Sequence, residues 1–309
     1  AGQLTLEEST DFSILVSPTI ELMLVAGGPG IGKSVLVTEL QKSITEKRGY
    51  FVSGKFDKFQ RNIPYSALIN AIQRLVRQLL TESESQLHLW REKILSALGE
   101  NGQIIIDVIP EIELIIGKQP QVLDLGPKES QNRFNSVFYN LIRVFGRKEH
   151  PLVIFLDDLQ WANSSTFKLI ELMMTHSMIY REENAIKSPE YTPQYLLLIG
   201  AYRDTEISES HPLRLMLNSI EKQGIKVQEI TLNPLKFEHI HQLVIDTLHT
   251  QSESVTRLAE LVFQKTRGNP FFVTEFLKTL HTEELLNFDR DSLTWQWDIK
   301  QIQDVGITD

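Results

Sequence analysis

Apolar residues follow two alternating patterns along most of this chain. Short continuous apolar runs lie at residues 20–26, 152–156 and 195–201, and such runs favour strands buried on both faces of a parallel sheet. Segments 50–56 and 226–232 alternate in polarity and predict two further strands. Helical spacing predicts helices at 33–46, 64–79, 86–98, 128–147 and 211–222, and one more after residue 163. We expect Pro64 in the first turn of the second helix, and Ser164 or Ser165 as the cap of the helix that follows residue 163.

Between these elements the pattern is less regular. Residues 104–116 are apolar with Pro110 inside, which favours two short helices broken at the proline over one strand. Residues 119–127 and the polar stretch 181–193 are interpreted as loops. Strands that alternate with helices are typical of an α/β fold, so we predict a three-layer core with a parallel sheet and helices on both faces.

The pattern changes after Pro234, where three helical stretches near 236–248, 252–266 and 271–281 follow one another without a strand. We therefore predict an α/β domain at 20–233 and a small helical lid domain at 234–284. Residues 1–19 are interpreted as a lead-in. Residues 285–309 are interpreted as the start of a further segment, with a hairpin pattern at 285–297.

A glycine-rich segment lies between the first predicted strand and the first predicted helix. It has the form G-x-x-x-x-G-K-S, and a strand, a glycine loop and a helix in this order favour a phosphate site over an ordinary turn. Glycines let backbone N–H groups surround a phosphate, and the helix N-terminus adds positive charge. The residues assigned to nucleotide binding are Gly27, Gly28, Pro29, Gly30, Ile31, Gly32, Lys33, Ser34 and Val35.

Two later strands end in charged residues. Asp157 and Asp158 follow the apolar run 152–156, and Arg203 follows the run 195–201. We expect Ser34 and Asp157 to hold Mg²⁺, Asp158 to act as the general base, and Arg203 to reach a terminal phosphate. The alternatives are an Asp-Asp turn that caps the next helix and an arginine exposed at a strand end.

Composition argues against several other classes of protein. The net charge of −9 argues mildly against a surface devoted to nucleic acid, and we do not expect a nucleic-acid partner. The chain has no cysteine, so it has no disulfide framework. No apolar run reaches the ~18 residues that a membrane span needs, and we expect a cytoplasmic protein without a membrane partner.

With these motifs assembled, the sequence resembles the STAND class of signalling P-loop ATPases, within the AAA+ and initiator-related group. In particular it is similar to the ATPase module of large bacterial multi-sensor Ser/Thr–histidine kinases. The resemblance covers about residues 21–281. It is carried by GGPGIGKS (27–34), FVSGKFDKFQRNIPYSAL (51–68), PLVIFLDDLQWA (151–162), LLLIGAYRDTE (196–206) and RGNPFFVTEFLKTL (267–280).

The resemblance implies roles for individual residues. Lys33, with the loop glycines, binds the phosphates of ATP or ADP, Asp157 is the carboxylate on the metal side, and Asp158 is the catalytic carboxylate. Arg203 senses the terminal phosphate. Pro270, in Gly268-Asn269-Pro270, lies against the base. On physical grounds alone, this segment only ends one helix and begins the next.

The sequence also departs from the family pattern. Residues 1–19 lack the Gly-Arg-Glu motif that relatives carry near the adenine, and Asn163 stands where relatives often have aspartate. The winged-helix domain that follows the lid in relatives is absent or only begun, so we expect the chain to be a piece of a longer protein.

The functional hypothesis is a slow, Mg²⁺-dependent ATPase that acts as a signalling switch. ATP is expected between the core and the lid. The expected partners are flanking kinase and sensor domains, with nucleotide-dependent self-association as a further expectation. The alternatives are a scaffold that binds nucleotide without hydrolysis, a DNA-acting ATPase of the initiator kind, and a transcription regulator of the same class.

Overall fold

A computed structural model describes residues 20–46, 49–183, 195–250, 253–290 and 292–303. The described residues divide into two compact units. Residues 20–26 and those between 34 and 230 form one unit, here called the sheet unit. Residues 27–33 and those from 231 to 303 form the other, here called the helical unit. The predicted domain boundary near Asn233 stays a proposal.

Five strands form one sheet among the described residues, in the order β2-β3-β4-β1-β5. Parallel pairing joins β2 to β3, β3 to β4 and β4 to β1. The predicted α/β class with a parallel sheet is therefore confirmed. The strands are β1 (Ile20–Ala26), β2 (Tyr50–Lys55), β3 (Leu152–Asp157), β4 (Leu196–Tyr202) and β5 (Gln228–Thr231).

Helices connect the strands of the sheet unit, and the apolar faces of all but the first of them join the central strands in one buried core. α2, for example, buries alanines and large aliphatic residues along one stripe, as its helical spacing predicts. The helices are α1 (Lys33–Glu46), α2 (Ser66–Leu79), α3 (Glu84–Leu98), α4 (Gly102–Ile106), α5 (Glu113–Ile116), α6 (Pro127–Phe145), α7 (Ser164–Glu183) and α8 (Pro212–Lys222).

The helical unit has a separate core. It contains α9 (Phe237–Leu248), α10 (Glu253–Thr266), α11 (Pro270–Thr282), the strands β6 (Leu286–Asp289) and β7 (Thr294–Trp297), and α12 (Ile299–Gln303). β6 and β7 pair in antiparallel fashion, in agreement with the hairpin pattern. α12 has no counterpart in the sequence analysis, although its Ile302 is fully buried in this core.

Among the boundaries that differ from the predicted ones, three concern α2 and α7. α2 begins at Ser66, after Tyr65 in a left-handed conformation, so Pro64 lies before the helix. α7 is capped by Asn163, whose Oδ1 accepts from the Thr166 backbone N–H at 3.0 Å, and not by Ser164 or Ser165. α7 also continues to Glu183, so the loop predicted at 181–193 is wrong at its start. The rest of that loop and the lead-in 1–19 lie outside the described residues.

Candidate functional site

The glycine loop adopts backbone conformations that require glycine. Gly27, Gly30 and Gly32 have φ values of 150°, 71° and 96°. At Gly32 an added Cβ would meet no atom within 4 Å, so the loop leaves open space beside its backbone. Positive-φ glycines and open space fit the cradle of N–H groups that a phosphate needs. The Lys33 side chain is buried, and its Nζ donates to the carbonyl oxygens of Gly27 at 2.7 Å and Gly28 at 2.8 Å.

The start of α11 holds the same loop within the helical unit. Asn269 Nδ2 donates to the Pro29 carbonyl at 2.9 Å, and the Phe271 N–H donates to the Gly30 carbonyl at 3.2 Å. Asn269 Oδ1 also caps α11 by accepting from the Phe271 N–H at 3.0 Å. The sequence analysis did not include Asn269 among the site residues. Its place one residue before a helix-starting proline was the available signal.

Pro270 is the first residue of α11 and is half-buried. Its two neighbours, Asn269 and Phe271, both contact the loop. The predicted contact of Pro270 with a base stays a prediction. Val35 lies in the first turn of α1 with its side chain 68% exposed.

In the sheet unit, Ser34 lies beside the end of β3. Its Oγ donates to Asp157 Oδ2 at 2.9 Å. Asp157 Oδ1 accepts from the backbone N–H of Asp158 at 3.0 Å, which fixes the orientation of the carboxylate. A hydroxyl and a carboxylate oxygen at this distance are ligands of the kind that Mg²⁺ prefers alongside phosphate oxygens. The donor set therefore fits the expected metal.

Asp158 has an unusual backbone and a dense set of partners. It lies in the left-handed region, at φ 56° and ψ 46°, where aspartate is one of the few tolerated residues. The side chain is almost fully buried, and Gln160 Nε2 donates to its Oδ1 at 2.8 Å. Gln160 Oε1 in turn accepts from the Arg203 N–H at 3.2 Å, so one buried amide connects the ends of β3 and β4.

Lys55 adds a cation to the two carboxylates. Its Nζ lies 3.1 Å from Asp158 Oδ2 and 3.7 Å from Asp157 Oδ2. The hydrogen bond to Asp158 raises the pKa of Lys55, against a smaller opposing effect of burial. The parallel register explains this placement, because Lys55 in β2 pairs with Asp157 in β3. The segment around Lys55 carries part of the family resemblance, but no role was predicted for this residue.

Arg203 faces the same carboxylate from the end of β4. Its Nε lies 3.7 Å from Asp158 Oδ1, and its Nη1 donates to Glu206 Oε1 at 2.9 Å. The guanidinium also lies over the Trp161 ring, with 5.2 Å between Cζ and the ring centroid. The structure thus places Ser34, Asp157, Asp158 and Arg203 together at one edge of the sheet. Their chemical roles stay predictions.

His211 supports Gln160 from the start of α8. Its Nδ1 accepts from the Leu213 N–H at 3.1 Å, which leaves Nε2 to donate to the Gln160 carbonyl at 3.1 Å. Burial lowers the pKa of His211 from its ordinary value of 6.5, and Arg61 also lowers it, while the bond to Gln160 opposes the shift. The folded protein therefore favours the neutral imidazole.

This shift predicts a loss of stability on mild acidification. The unfolded chain takes up a proton at His211 before the folded protein does, so the stabilising contribution is complete above about pH 7 and falls as pH drops through the folded pKa. His211→Asn keeps a capping side chain but cannot titrate. We expect the melting temperature of this variant to fall less between about pH 7.5 and about pH 5.5 than that of the unmodified protein. If the melting temperatures of the two proteins fell equally with pH, the assignment of this effect to His211 would be contradicted.

Residues 13–185, more than half of the chain, match the family described as the AAA ATPase domain. The chain belongs to this family. The recognition of a P-loop ATPase module from the motifs is thereby confirmed.

Relatives of this AAA ATPase domain are named as histidine kinases. Hybrid signal transduction histidine kinase G of Dictyostelium discoideum is 32% identical over 94% of the chain, and the match covers 10% of that protein. Peroxide stress-activated histidine kinase mak3 of Schizosaccharomyces pombe is 23% identical over 89% of the chain and covers 12% of that protein. The chain thus spans about a tenth of the length of these curated relatives.

Solved structures give weaker likenesses to the AAA ATPase domain. Cdc6p from Pyrobaculum aerophilum matches with a TM-score of 0.45 at 12% identity, over 88% of this chain and 59% of that one. A STAND protein with a tetratricopeptide repeat sensor from Pyrococcus horikoshii matches with a TM-score of 0.38 at 12% identity, over 89% of this chain and 31% of that one. The family assignment rests on the sequence match.

Among the residues that the structure describes, no helix combines the length and the apolar character of a membrane span. Within the same residues, no group of three or more histidine, aspartate or glutamate side chains is arranged to hold a metal ion.

Proposed function

We propose that this chain is an ATP-binding switch that hydrolyses ATP slowly with Mg²⁺ and regulates attached kinase or other output domains. The observation that carries the proposal is the 2.9 Å hydrogen bond between Ser34 Oγ and Asp157 Oδ2, which places the two expected metal-side groups together. Family membership and relatives named as histidine kinases support the signalling context.

Each group has a separate task in this proposal. The glycine loop and Lys33 bind phosphate oxygens, and Ser34 and Asp157 hold the ion. Bound Mg²⁺ would neutralise charge that develops on the phosphates. Asp158 accepts the proton of the attacking water, and Arg203 contacts the terminal phosphate. The tasks of Lys33 and Ser34 fall on consecutive residues at the start of α1.

The switch needs an element that senses the state of the loop. ATP and ADP differ by one phosphate, so a signal requires contacts whose free energy depends on that phosphate. Asn269 and Phe271 bond the carbonyls of Pro29 and Gly30, and α11 begins between them. We assign the reporting role to α11, because a change in the loop carbonyls acts directly on the first turn of this helix.

The experiment that tests nucleotide binding is calorimetry with ATP, ADP and GTP in the presence of Mg²⁺. A charge-assisted hydrogen bond to phosphate contributes about 1.5–3 kcal/mol, so Lys33→Ala is expected to weaken ATP binding by about tenfold to a hundredfold. Lys42→Ala on the exposed surface of the same helix is the matched control, because its Nζ forms a surface ion pair with Glu39 at 3.3 Å. Absence of adenine nucleotide binding by the unmodified chain would overturn the proposal.

A further inference from the structure

Lys55 occupies a position that the proposed chemistry does not yet use. It ends β2, one of the two outer strands of the described sheet, and its side chain is 67% exposed. Its ammonium lies within 4 Å of one oxygen of each carboxylate, at 3.1 Å from Asp158 and 3.7 Å from Asp157. The two carboxylates are 7% and 13% exposed, so Lys55 is a cation at the open side of a largely buried anionic pair.

The same carboxylate oxygen has two partners. Asp157 Oδ2 accepts the hydrogen bond from Ser34 Oγ at 2.9 Å and is also the Asp157 oxygen that faces Lys55. In the proposed function Ser34 and Asp157 hold the divalent ion. A divalent cation at this oxygen would therefore be close to the positive charge of Lys55, and like charges repel strongly at such separations in a partly buried site.

We propose that Lys55 is a built-in counter-ion that competes electrostatically with Mg²⁺ for Asp157 and Asp158, and so sets the Mg²⁺ concentration that the site requires. The inference rests on the proposed function, because it takes Asp157 as a metal ligand. Lys55 acts through the two carboxylates and is a positioning residue. Because its side chain is long and mostly exposed, it can turn toward solvent when a stronger cation binds.

The expected effect is a gain in Mg²⁺ affinity when the charge is removed. Exposed ion pairs contribute little and partly buried ones more, so Lys55→Met should lower the dissociation constant for Mg²⁺ by about tenfold, which corresponds to about 1.4 kcal/mol. Methionine keeps a flexible apolar stem of similar length. Lys55→Gln is a second neutral variant, and Lys55→Arg, which keeps the charge, should retain the affinity of the unmodified protein.

The test uses the whole chain without nucleotide and titrates Mg²⁺ alone, by calorimetry and by the rise in melting temperature with Mg²⁺. Lys58→Met is the matched control, because Lys58 is an exposed lysine three positions along the chain and forms no ion pair with either aspartate in the described structure. Lys55→Met should bind Mg²⁺ more tightly, and Lys58→Met should not. Adding Asp157→Asn to Lys55→Met should remove the gain.

Three results would overturn the inference. They are an unchanged or weaker Mg²⁺ affinity in both neutral variants, an equal gain in Lys58→Met, and a gain that survives Asp157→Asn. Because nucleotide is absent, the result is independent of the ATP-binding test. A chain that fails to bind ATP but gains Mg²⁺ affinity in Lys55→Met would support the counter-ion role and contradict the ATPase proposal. A chain that binds ATP but shows no gain in Mg²⁺ affinity in Lys55→Met would support the ATPase proposal and contradict the counter-ion role.

Discussion

Replacement of Asp158 by asparagine is expected to reduce ATP turnover by about a hundredfold to ten-thousandfold, the usual contribution of a general base, while ATP binding is retained. Asparagine tolerates the left-handed backbone at φ 56° and keeps an oxygen that can accept the 2.8 Å hydrogen bond from Gln160. It loses the negative charge that faces Lys55 and Arg203. Phosphate release under excess Mg²⁺ and ATP measures turnover, and calorimetry measures binding.

Asp57→Asn provides the matched control for this experiment. Asp57 is an exposed aspartate whose Oδ1 caps the short 3₁₀ helix Lys58–Gln60 by accepting from the Phe59 N–H at 2.8 Å, and asparagine can replace it as a cap. Its turnover should stay within about twofold of that of the unmodified protein. Unchanged turnover in Asp158→Asn would contradict the assignment of the base. An unmodified protein that binds ATP but releases no phosphate would favour the scaffold alternative.

The sequence was sufficient to predict the sheet and part of the site, because both depend on local patterns. Buried strands gave continuous apolar runs, and parallel strands bring their carboxyl ends to one edge. This reasoning predicted that the residues after β3 and β4 lie together, and the structure places Asp158 Oδ1 3.7 Å from Arg203 Nε. Ser34 and Asp157 were expected to hold one Mg²⁺ because both supply oxygen ligands, and they form a 2.9 Å hydrogen bond.

The side chains that hold these residues in position could not be predicted in the same way. Gln160 contacts Asp158 and the Arg203 backbone, and His211 bonds the Gln160 carbonyl across 51 positions of sequence. Single glutamine and histidine residues carry no periodic signal, and their partners follow only from the folded register. Lys55 was missed for a similar reason, because a lysine at the end of an outer strand is most often a solvated charge.

The start of α2 shows how tertiary contacts override a local signal. Proline favours the first position of a helix, which placed Pro64 inside α2. The helix instead begins at Ser66, since Tyr65 adopts φ 62° and its N–H donates to Thr166 Oγ1 at 3.1 Å, 101 positions away. The Tyr65 ring is also buried and stacks on Phe134 at 4.6 Å. A contact between distant segments thus fixed this boundary.

Gly54→Ala is expected to destabilise the protein by about 3 kcal/mol or more, because the new methyl group has no space. Gly54 lies in β2, and a Cβ at this position would be 1.9 Å from the carbonyl oxygen and 2.6 Å from the carbonyl carbon of Ala67. These atoms belong to the first turn of α2, whose buried face packs into the core of the sheet unit. The helix would have to shift as a body, which disrupts close-packed contacts along its length.

Denaturant unfolding of the purified variants measures this loss, and two comparisons show its origin. Gly28→Ala should stay within about 0.5 kcal/mol of the unmodified protein, because a Cβ there meets no atom within 4 Å and its φ lies outside the left-handed range. Adding Ala67→Gly to Gly54→Ala should not restore stability, since the obstructing atoms belong to the backbone of residue 67 and remain after its side chain is removed. Recovery in the double variant would mean that the close approach of β2 and α2 depends on the Ala67 methyl group. If stability is not recovered, the backbone of α2 requires glycine at position 54. The packing of α2 against β2 then also holds Lys55, the next residue, in place.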